Sequence, residues 1–112
     1  MKERSYVPER GDIVWLNFTP QAGHEQKGLR PAIVISPIEY NGRVGLGLFC
    51  PITKHIKGYP FEVEVKGAKI KGAVLSDHVK SLDWRSRKIE FIAKADAKTI
   101  NSVCENLKLL IF

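Results

Sequence analysis

Glycine and proline interrupt the apolar stretches of the first two thirds of this chain at short intervals, and no other feature of the sequence constrains the fold as much. Short apolar runs separated by turn-forming residues are typical of β-strands. Six such runs are found, at residues 12–18, 32–36, 44–50, 61–65, 73–76 and 88–93. This number of short strands predicts a small, mainly β barrel.

Two of these runs differ in how deeply they should be buried. The run FEVEV at 61–65 alternates apolar and acidic side chains, which is the period of a half-buried strand. The run AIVIS at 32–36 is almost entirely apolar, as expected for a strand that is buried on both faces. Between the strands, short helical turns are predicted at 37–40 and around 77–82.

The apolar period changes to that of a helix in the last segment. Apolar side chains recur there at i, i+3, i+4 and i+7, after an aspartate, Asp96, that is suited to cap a helix N-terminus. The stripe consists of Ile100, Val103, Cys104, Leu107, Leu110 and Ile111. We therefore predict one amphipathic C-terminal helix with its apolar stripe in the core.

Length and composition predict a single domain over residues 1–112, because 44% hydrophobic and 27% charged residues are ordinary values for a globular chain. No apolar run approaches the about 18 residues that cross a bilayer, and the polar first residues do not resemble a signal peptide. We expect a cytoplasmic protein without a membrane partner. Cys50 and Cys104 lie far apart in apolar segments, so we expect both to be reduced and unpaired.

The charge balance favours an anionic partner. Lysine plus arginine outnumber aspartate plus glutamate by 18 to 12, which gives a formal net charge of +6 and a pI near 9.5. Such a chain attracts nucleic acid from a distance. The charges are spread along the chain, however, so the charge alone favours nucleic-acid binding only modestly.

The common motifs of metal and nucleotide chemistry are absent from the sequence. There is no H-E-x-x-H, no Cys/His set at zinc-finger spacing, no phosphate-binding loop and no G-x-S-x-G. His24, His55 and His78 are isolated from one another. We therefore expect neither a metal nor a cofactor.

Polar side chains collect instead beside the ends of predicted strands, where functional sites often form. They are Glu25, Gln26 and Arg30 at the exit of a long loop at 19–29, and Thr53, Lys54, His55 and Lys57 after the run 44–50. Loops of this length in small domains are often functional. Taken singly, Arg30 fits a solvated loop arginine equally well, and Thr53 fits a turn cap.

Three ordered blocks of sequence resemble one known family, the MazF, PemK and Kid toxins of bacterial toxin–antitoxin modules. The first block is GDIVWLNF followed by a long loop and GLRPAIVISP, the second is FCPITKHIKGYPFEV, and the third is GAVLSDHVKSLDWRSR. The resemblance runs over nearly the whole chain.

The resemblance implies a small SH3-like barrel of the PemK/CcdB type that forms a homodimer. It implies an endoribonuclease, an mRNA interferase, that cuts single-stranded RNA at specific sequences without a metal and so inhibits translation and growth. It also implies a cognate antitoxin, similar to MazE, whose disordered tail lies across the toxin dimer.

Carried over position by position, the family's catalytic arginine corresponds to Arg30 and its catalytic threonine to Thr53. Its RNA-binding positions correspond to Phe18, Glu25, Lys57, Asp77 and His78. Some relatives carry a histidine directly before the catalytic arginine, whereas this chain has Leu29. A role for that histidine is therefore not available here.

These residue types suit RNA cleavage by the ribose 2′-hydroxyl, because the nucleophile is already tethered to its phosphate. A guanidinium at Arg30 matches the oxygens of the pentacoordinate phosphorane, and Thr53 can donate a second hydrogen bond. Arginine is a poor base at neutral pH, since its reference pKa lies above about 12. His24 and His55 are the candidates for a proton shuttle, with solvated loop histidines as the alternative.

Two rival functions remain compatible with a small toxin-like barrel. The first rival is a toxin similar to the gyrase-directed CcdB toxins, which share the barrel and dimer but cleave nothing. The second rival is a barrel that binds nucleic acid without cutting it. The placement of Arg30 and Thr53 in RP-A and P-x-T settings favours the RNase. Trp15 is expected in the core, and Trp84, between two charged residues, is expected to be more open, at the RNA groove or the dimer edge.

Overall fold

The computed structural model describes residues 6–19, 28–67 and 69–112, and these form a curled antiparallel sheet with a C-terminal helix. The strands are β1 (Asp12–Asn17), β2 (Leu29–Val34), β3 (Leu46–Thr53), β4 (Glu62–Lys66), β5 (Lys71–Leu75), β6 (Lys80–Asp83) and β7 (Glu90–Lys94). The helices are α1 (Ile38–Val44) and α2 (Ala97–Ile111), and single 3₁₀ turns lie at Ser76–His78 and Trp84–Ser86. The prediction of a mainly β fold closed by one amphipathic helix is confirmed.

The sheet is a half-barrel with the strand order β4-β5-β3-β2-β1-β7, and β6 pairs with β3 beside this path. The long strand β3 holds the two parts together. Its first half pairs with β6, through Leu46 to Phe49, and its last two residues pair with β5. Its other edge pairs with β2. The residues at the end of β3 therefore lie where both parts of the sheet meet.

Side chains on both faces of the central strands are buried, as the apolar run at 32–36 predicted. One face packs against α2 and contributes Ile13, Ile33, Ile35, Cys50, Ile52, Val65 and Val74 to a core completed by Val103 and Leu107 of that helix. The opposite face forms a second core of Val14, Leu16, Ala32, Val34, Phe49, Leu82 and Trp84. Since neighbouring strand residues point to opposite faces, this alternation also decides which side of the sheet each polar residue faces.

Helix α2 begins as predicted at Asp96, whose carboxylate accepts a hydrogen bond of 2.9 Å from the backbone N–H of Thr99. Hydrogen bonding to Thr99, by its side chain first and by its backbone N–H second, lowers the pKa of Asp96, since it stabilises the charged form. The predicted apolar stripe lies in the core at Val103 and Leu107 but not in the last turn. There the side chains of Leu110 and Ile111 are 48% and 65% exposed.

The bounds of three local elements differ from the prediction. The helical turn expected at 37–40 is the longer helix α1, which ends at Val44, so β3 begins at Leu46 and not at residue 44. The turn expected around 77–82 contains a 3₁₀ turn followed by the strand β6, which pairs with β3. The strand expected to begin at residue 32 begins at Leu29, so Arg30 lies inside β2.

The two tryptophans also exchange the positions expected of them. Trp84 is 5% exposed and belongs to the second core, with its Nε1 donating a 3.2 Å hydrogen bond to the carbonyl of Asn41. Trp15, which was expected in the core, is only half-buried. Charged neighbours did not keep Trp84 at the surface, because the 3₁₀ turn directs its ring inward.

Both cysteines are free, as expected: Cys50 is buried and Cys104 is partly exposed. Burial is the largest of the effects that raise the pKa of the Cys50 thiol to about 12. In the part of the chain that the structure describes, no helix combines the length and apolar character needed to cross a membrane.

Candidate active site

The two predicted catalytic residues, Arg30 and Thr53, lie on the neighbouring strands β2 and β3. The two strands are antiparallel, with Ala32 opposite Pro51 and Val34 opposite Phe49. Continuing this register by two residues places Arg30 opposite Thr53. Both side chains are half-buried, so they are held by the sheet and are still accessible to a ligand.

Arg30 shares a sheet face with the second core. Alternation along β2 puts it on the same face as Ala32 and Val34, and it pairs with Leu16 of β1. Phe18, just beyond the end of β1, packs against that core, and the guanidinium carbon of Arg30 lies 5.8 Å from the centre of its ring. The guanidinium therefore stands over an aromatic face at the open end of the core, a cation–π arrangement.

The two ends of the long predicted loop are tied together beside Phe18. The backbone N–H of Phe18 donates a 2.8 Å hydrogen bond to the carbonyl of Gly28, and this bond joins the two ends. Within the first end, the Thr19 N–H donates a 2.9 Å bond to Asn17 Oδ1. A Cβ at Gly28 would clash with the side chains of Thr19 and Asn17, so only glycine fits this crossing. The predicted residues His24 and Glu25 lie outside the described residues.

Thr53 is positioned as a hydrogen-bond donor by the backbone of His55, two residues further along the chain. Its Oγ1 accepts a 3.1 Å hydrogen bond from the backbone N–H of His55. Because that bond uses a lone pair, the hydroxyl proton of Thr53 remains available for another acceptor. The imidazole of His55 is exposed in the same turn.

The segment 54–60, which we call the strap, links Thr53 to β4 and is held by Glu62. The Glu62 carboxylate accepts hydrogen bonds from two successive backbone N–H groups, of Lys57 at 3.0 Å and of Gly58 at 2.7 Å. Gly58 has a positive φ of 83°, which favours glycine. The Lys57 side chain is exposed, so its ammonium group faces solvent on a fixed backbone.

At the far end of the strap, Tyr59 connects to the predicted RNA-binding residue Asp77. The Tyr59 hydroxyl donates a 2.7 Å hydrogen bond to Asp77 Oδ1, and this bond is the main cause that raises the pKa of Tyr59 to about 12. His78 Nε2 lies 4.0 Å from the same oxygen. Asp77 and His78 are both exposed in the 3₁₀ turn after β5.

The structure therefore arranges the described candidates in two groups that the strap connects. Arg30, Thr53 and Phe18 lie at the ends of β1, β2 and β3, whereas Asp77 and His78 lie after β5. Lys57 is between them on the strap. Sequence reasoning missed Glu62 and Tyr59, although the acidic position in FEVEV and the aromatic position in KGYPF marked both.

Within residues 6–19, 28–67 and 69–112, no group of three or more His, Cys, Asp or Glu side chains is arranged as a metal site. The buried carboxylate of Asp12 is engaged in structural contacts. Asp12, 2% exposed, accepts hydrogen bonds from the Tyr6 hydroxyl, from the Glu9 N–H at 3.0 Å and from Lys94 Nζ at 2.7 Å.

Comparison with known proteins identifies the family. The family described as PemK-like, MazF-like toxin of type II toxin–antitoxin system matches residues 9–111. Endoribonuclease toxin MazF of Escherichia coli (strain K12) is 50% identical over 82 residues, which cover 73% of this chain and 74% of that protein. Endoribonuclease toxin ChpB of the same organism is 31% identical over 109 residues, covering 92% and 93%.

Solved structures agree with this assignment. The crystal structure of MazF (Form-I) from Deinococcus radiodurans superposes with a TM-score of 0.87 at 54% identity, over 96% of this chain and 98% of that one. MazE-MazF (Form-II) from the same organism gives 0.85 at 46% identity, over 96% and 97%. The predicted enzyme class, an endoribonuclease, is confirmed by these relatives. The chain belongs to the PemK-like, MazF-like toxins of type II toxin–antitoxin systems.

Proposed function

We propose that this toxin cuts single-stranded RNA, mRNA in the cell, by attack of a ribose 2′-hydroxyl on the adjacent phosphorus. A bond forms between the 2′-oxygen and phosphorus, and the bond from phosphorus to the 5′-oxygen breaks. The products are a 2′,3′-cyclic phosphate and a 5′-hydroxyl. The observation that supports this proposal is the antiparallel pairing of β2 with β3, because its register, continued by two residues beyond Ala32 and Pro51, would put Arg30 opposite Thr53.

Arg30 stabilises the charge that develops on the phosphorane. Its planar fork of donors matches two phosphate oxygens, and it lies over the ring of Phe18, which limits its movement. A charged donor that is already in place costs little reorganisation when the transition state forms. No metal ion is needed for this step, because the guanidinium supplies the positive charge.

Thr53 donates a second hydrogen bond to the same phosphate group. Its Oγ1 already accepts the N–H of His55, so the hydroxyl proton points to another acceptor. Two donors on neighbouring strands hold the phosphate in one orientation and align the 2′-oxygen with the leaving 5′-oxygen. Such alignment supplies much of the rate when the nucleophile is tethered.

Two protons must also move, one from the 2′-hydroxyl and one to the 5′-oxygen. His55 is the described histidine closest in sequence to Thr53, and its exposed ring can reach solvent and substrate. His24 is the second candidate. Either histidine can accept one proton and return the other, as a neutral imidazole does in general acid–base catalysis.

The RNA extends from this centre over the residues that the family resemblance assigned to binding. Phe18 lies beside Arg30, Lys57 lies on the strap, and Asp77 with His78 lies at its far end. The net charge of +6 attracts the RNA backbone. Glu25, which lies outside the described residues, completes the proposed set.

As a toxin of a type II module, the protein acts in the cytoplasm as a homodimer of one-domain chains and is neutralised by a cognate antitoxin, similar to MazE, whose disordered tail binds across the dimer. The MazE-MazF structures from Deinococcus radiodurans and the family match over residues 9–111 support this partner. An acidic tail is attracted to the same basic surface as RNA, so binding of the tail excludes substrate.

The experiment is incubation of the purified protein with a long single-stranded RNA of known sequence in excess EDTA, followed by mapping of the fragment ends. We expect discrete fragments with 2′,3′-cyclic phosphate and 5′-hydroxyl ends. Intact RNA, from folded protein free of antitoxin, contradicts the proposal. Inhibition of gyrase by such protein supports the CcdB-like alternative, whereas RNA binding without cleavage supports the binding-only barrel.

A further inference from the structure

We propose that Tyr59 is a stacking platform for one base of the bound RNA, and that Asp77 acts on the RNA by holding the Tyr59 ring and does not itself read a base. This inference rests on the proposed function for its substrate. It adds a binding residue to the site and changes the role of Asp77 from direct contact to positioning.

Tyr59 is held far more firmly than a surface tyrosine requires. Its hydroxyl donates to Asp77 Oδ1 at 2.7 Å, its own carbonyl accepts the Glu62 N–H at 3.1 Å, and the N–H of Gly58 just before it donates to the Glu62 carboxylate. Contacts with β4 and with the turn after β5 thus fix the Tyr59 ring, the Tyr59 carbonyl and the peptide that precedes it.

The two hydrophobic cores formed by the described residues do not account for this restraint. Tyr59 belongs to neither of the two core clusters and is only half-buried. An ordered aromatic side chain outside the core has already lost the rotamer freedom that binding would otherwise cost. Its exposed face is therefore prepared for a flat apolar partner.

The surroundings of Tyr59 indicate that this partner is a nucleobase. Lys54 and Lys57 are exposed on the same strap, and Thr53, the proposed phosphate ligand, immediately precedes it. Aromatic rings interleaved with lysines are the usual means by which proteins bind single-stranded nucleic acid. A phosphate held at Arg30 and Thr53 places a following or preceding base along the strap.

The hydrogen bond also limits what Asp77 can do. One of its carboxylate oxygens is occupied by the Tyr59 hydroxyl, and His78 Nε2 lies 4.0 Å from that same oxygen. A base amino group binding at this oxygen would compete with the tyrosine. Asp77 is thus better suited to fix the ring than to read a base edge.

The test compares variants of Tyr59 and Asp77 for the KM and kcat of cleavage of a short RNA that contains the mapped cut site. Tyr59→Ala is expected to raise KM about five- to a hundredfold with little change in kcat, because stacking contributes about 1–3 kcal/mol per base. Tyr59→Trp keeps a ring and is expected to stay within about threefold of the wild type. Tyr40→Ala, at a tyrosine on α1 that is 39% exposed, is the matched control and leaves both constants unchanged.

The positioning role of Asp77 is tested by a double-mutant cycle. Tyr59→Phe and Asp77→Ala each remove the same hydrogen bond, so each is expected to raise KM by a similar, smaller factor than Tyr59→Ala does. The double variant should then be no worse than either single one, because the second change removes nothing further. Additive effects in this cycle overturn the positioning role of Asp77.

An abasic scan of the RNA identifies the stacked base. One abasic position should weaken binding to the wild type by about the same factor as Tyr59→Ala, and should have no effect in Tyr59→Ala. The same measurements in an Arg30→Ala background, by fluorescence anisotropy, do not require cleavage. If the wild type fails to cleave RNA but Tyr59→Ala still weakens binding, only the proposed function is wrong. If Tyr59→Ala binds RNA as the wild type does, the stacking platform is wrong.

Discussion

The guanidinium carbon of Arg30 lies 5.8 Å from the centre of the Phe18 ring, so an arginine of one strand rests on an aromatic residue at the end of its neighbour. Leu16 pairs with Arg30 in the same ladder, and the Phe18 N–H is tied to Gly28. The backbone on both sides of Arg30 is thus fixed before any substrate binds. The contact limits the orientations of the guanidinium and preorganises its charge.

Replacing Phe18 by leucine should slow cleavage without unfolding the protein. Leucine keeps an apolar side chain against the second core but has no aromatic face for Arg30. Cation–π contacts contribute about 0.5–2 kcal/mol, so the single-turnover rate at saturating RNA should fall about two- to thirtyfold. Saturating RNA removes effects on binding. Phe91→Leu, at a ring that is 45% exposed on β7, is the control, and an unchanged rate in Phe18→Leu contradicts the supporting role.

Replacing Arg30 itself should have a larger effect. Arg30→Ala is expected to lower the cleavage rate at least about a hundredfold while the melting temperature changes little, since the side chain is half-buried and its contact with the Phe18 ring contributes little to stability. Arg30→Lys should remain strongly impaired, because an ammonium cannot form the bidentate contact. Arg43→Ala, at an exposed arginine on α1, is the control. Normal cleavage by Arg30→Ala rules out its catalytic role.

The sequence predicted the parts of the fold that depend on local patterns. Asp96 caps α2, and the continuous apolar run of β2 is buried on both faces, because capping and hydrophobic period are local properties. The strand β6 could not be predicted, since KSLD has one apolar residue, Leu82, and is a strand only through its pairing with β3. Helix α1 likewise depends on distant contacts: Asn41 Nδ2 donates to the carbonyl of Pro8 at 2.8 Å.

The family motifs indicated which residues to consider for the candidate site, but no local pattern predicted how they are arranged. Family motifs pointed to Arg30 and Thr53, yet Arg30 before a proline was expected in a loop. Pro31 has no backbone N–H to donate, and it can lie in β2 because the pairing of β2 with β3 begins only at Ala32. The hydrogen bond between Tyr59 and Asp77 joins residues 18 positions apart, and no local pattern predicts such a contact.

Substitutions of Trp84 test its place in the second core, where the sequence did not predict it. Because Trp84 is only 5% exposed, Trp84→Ala should lower the free energy of unfolding by about 3–5 kcal/mol, the usual cost of removing a large buried ring. Trp84→Phe keeps part of the ring but removes one of the two donors to the Asn41 carbonyl, which still accepts from the Gly45 N–H, so a cost of about 0.5–1.5 kcal/mol is expected for the lost hydrogen bond. Urea denaturation measures both changes. Trp15→Phe, at the half-buried tryptophan, should cost less than Trp84→Phe, and the reverse order contradicts this placement.

The stability of the protein should fall at alkaline pH, and Tyr6 should account for part of that fall. Burial, followed by its hydrogen bond to Asp12, raises the pKa of Tyr6 well above its usual value of 10.0. The folded state therefore keeps the phenol neutral while the unfolded state ionises. The stabilisation is complete below about pH 10 and is lost progressively as the pH rises from there toward the folded-state pKa.

Urea denaturation at several pH values between about 8 and 11 measures this loss, and Tyr6→Phe should reduce its steepness. The dependence of stability on pH should not vanish in Tyr6→Phe, because two other groups contribute to it. Hydrogen bonding to Asp12 raises the pKa of Lys94 above 10.5, and the bond to Asp77 raises the pKa of Tyr59 to about 12. Both contributions have the same sign, since each is lost as the pH rises through the raised pKa. Tyr40→Phe is the matched control. An identical slope in Tyr6→Phe and the wild type would show that the phenol beside Asp12 does not resist ionisation.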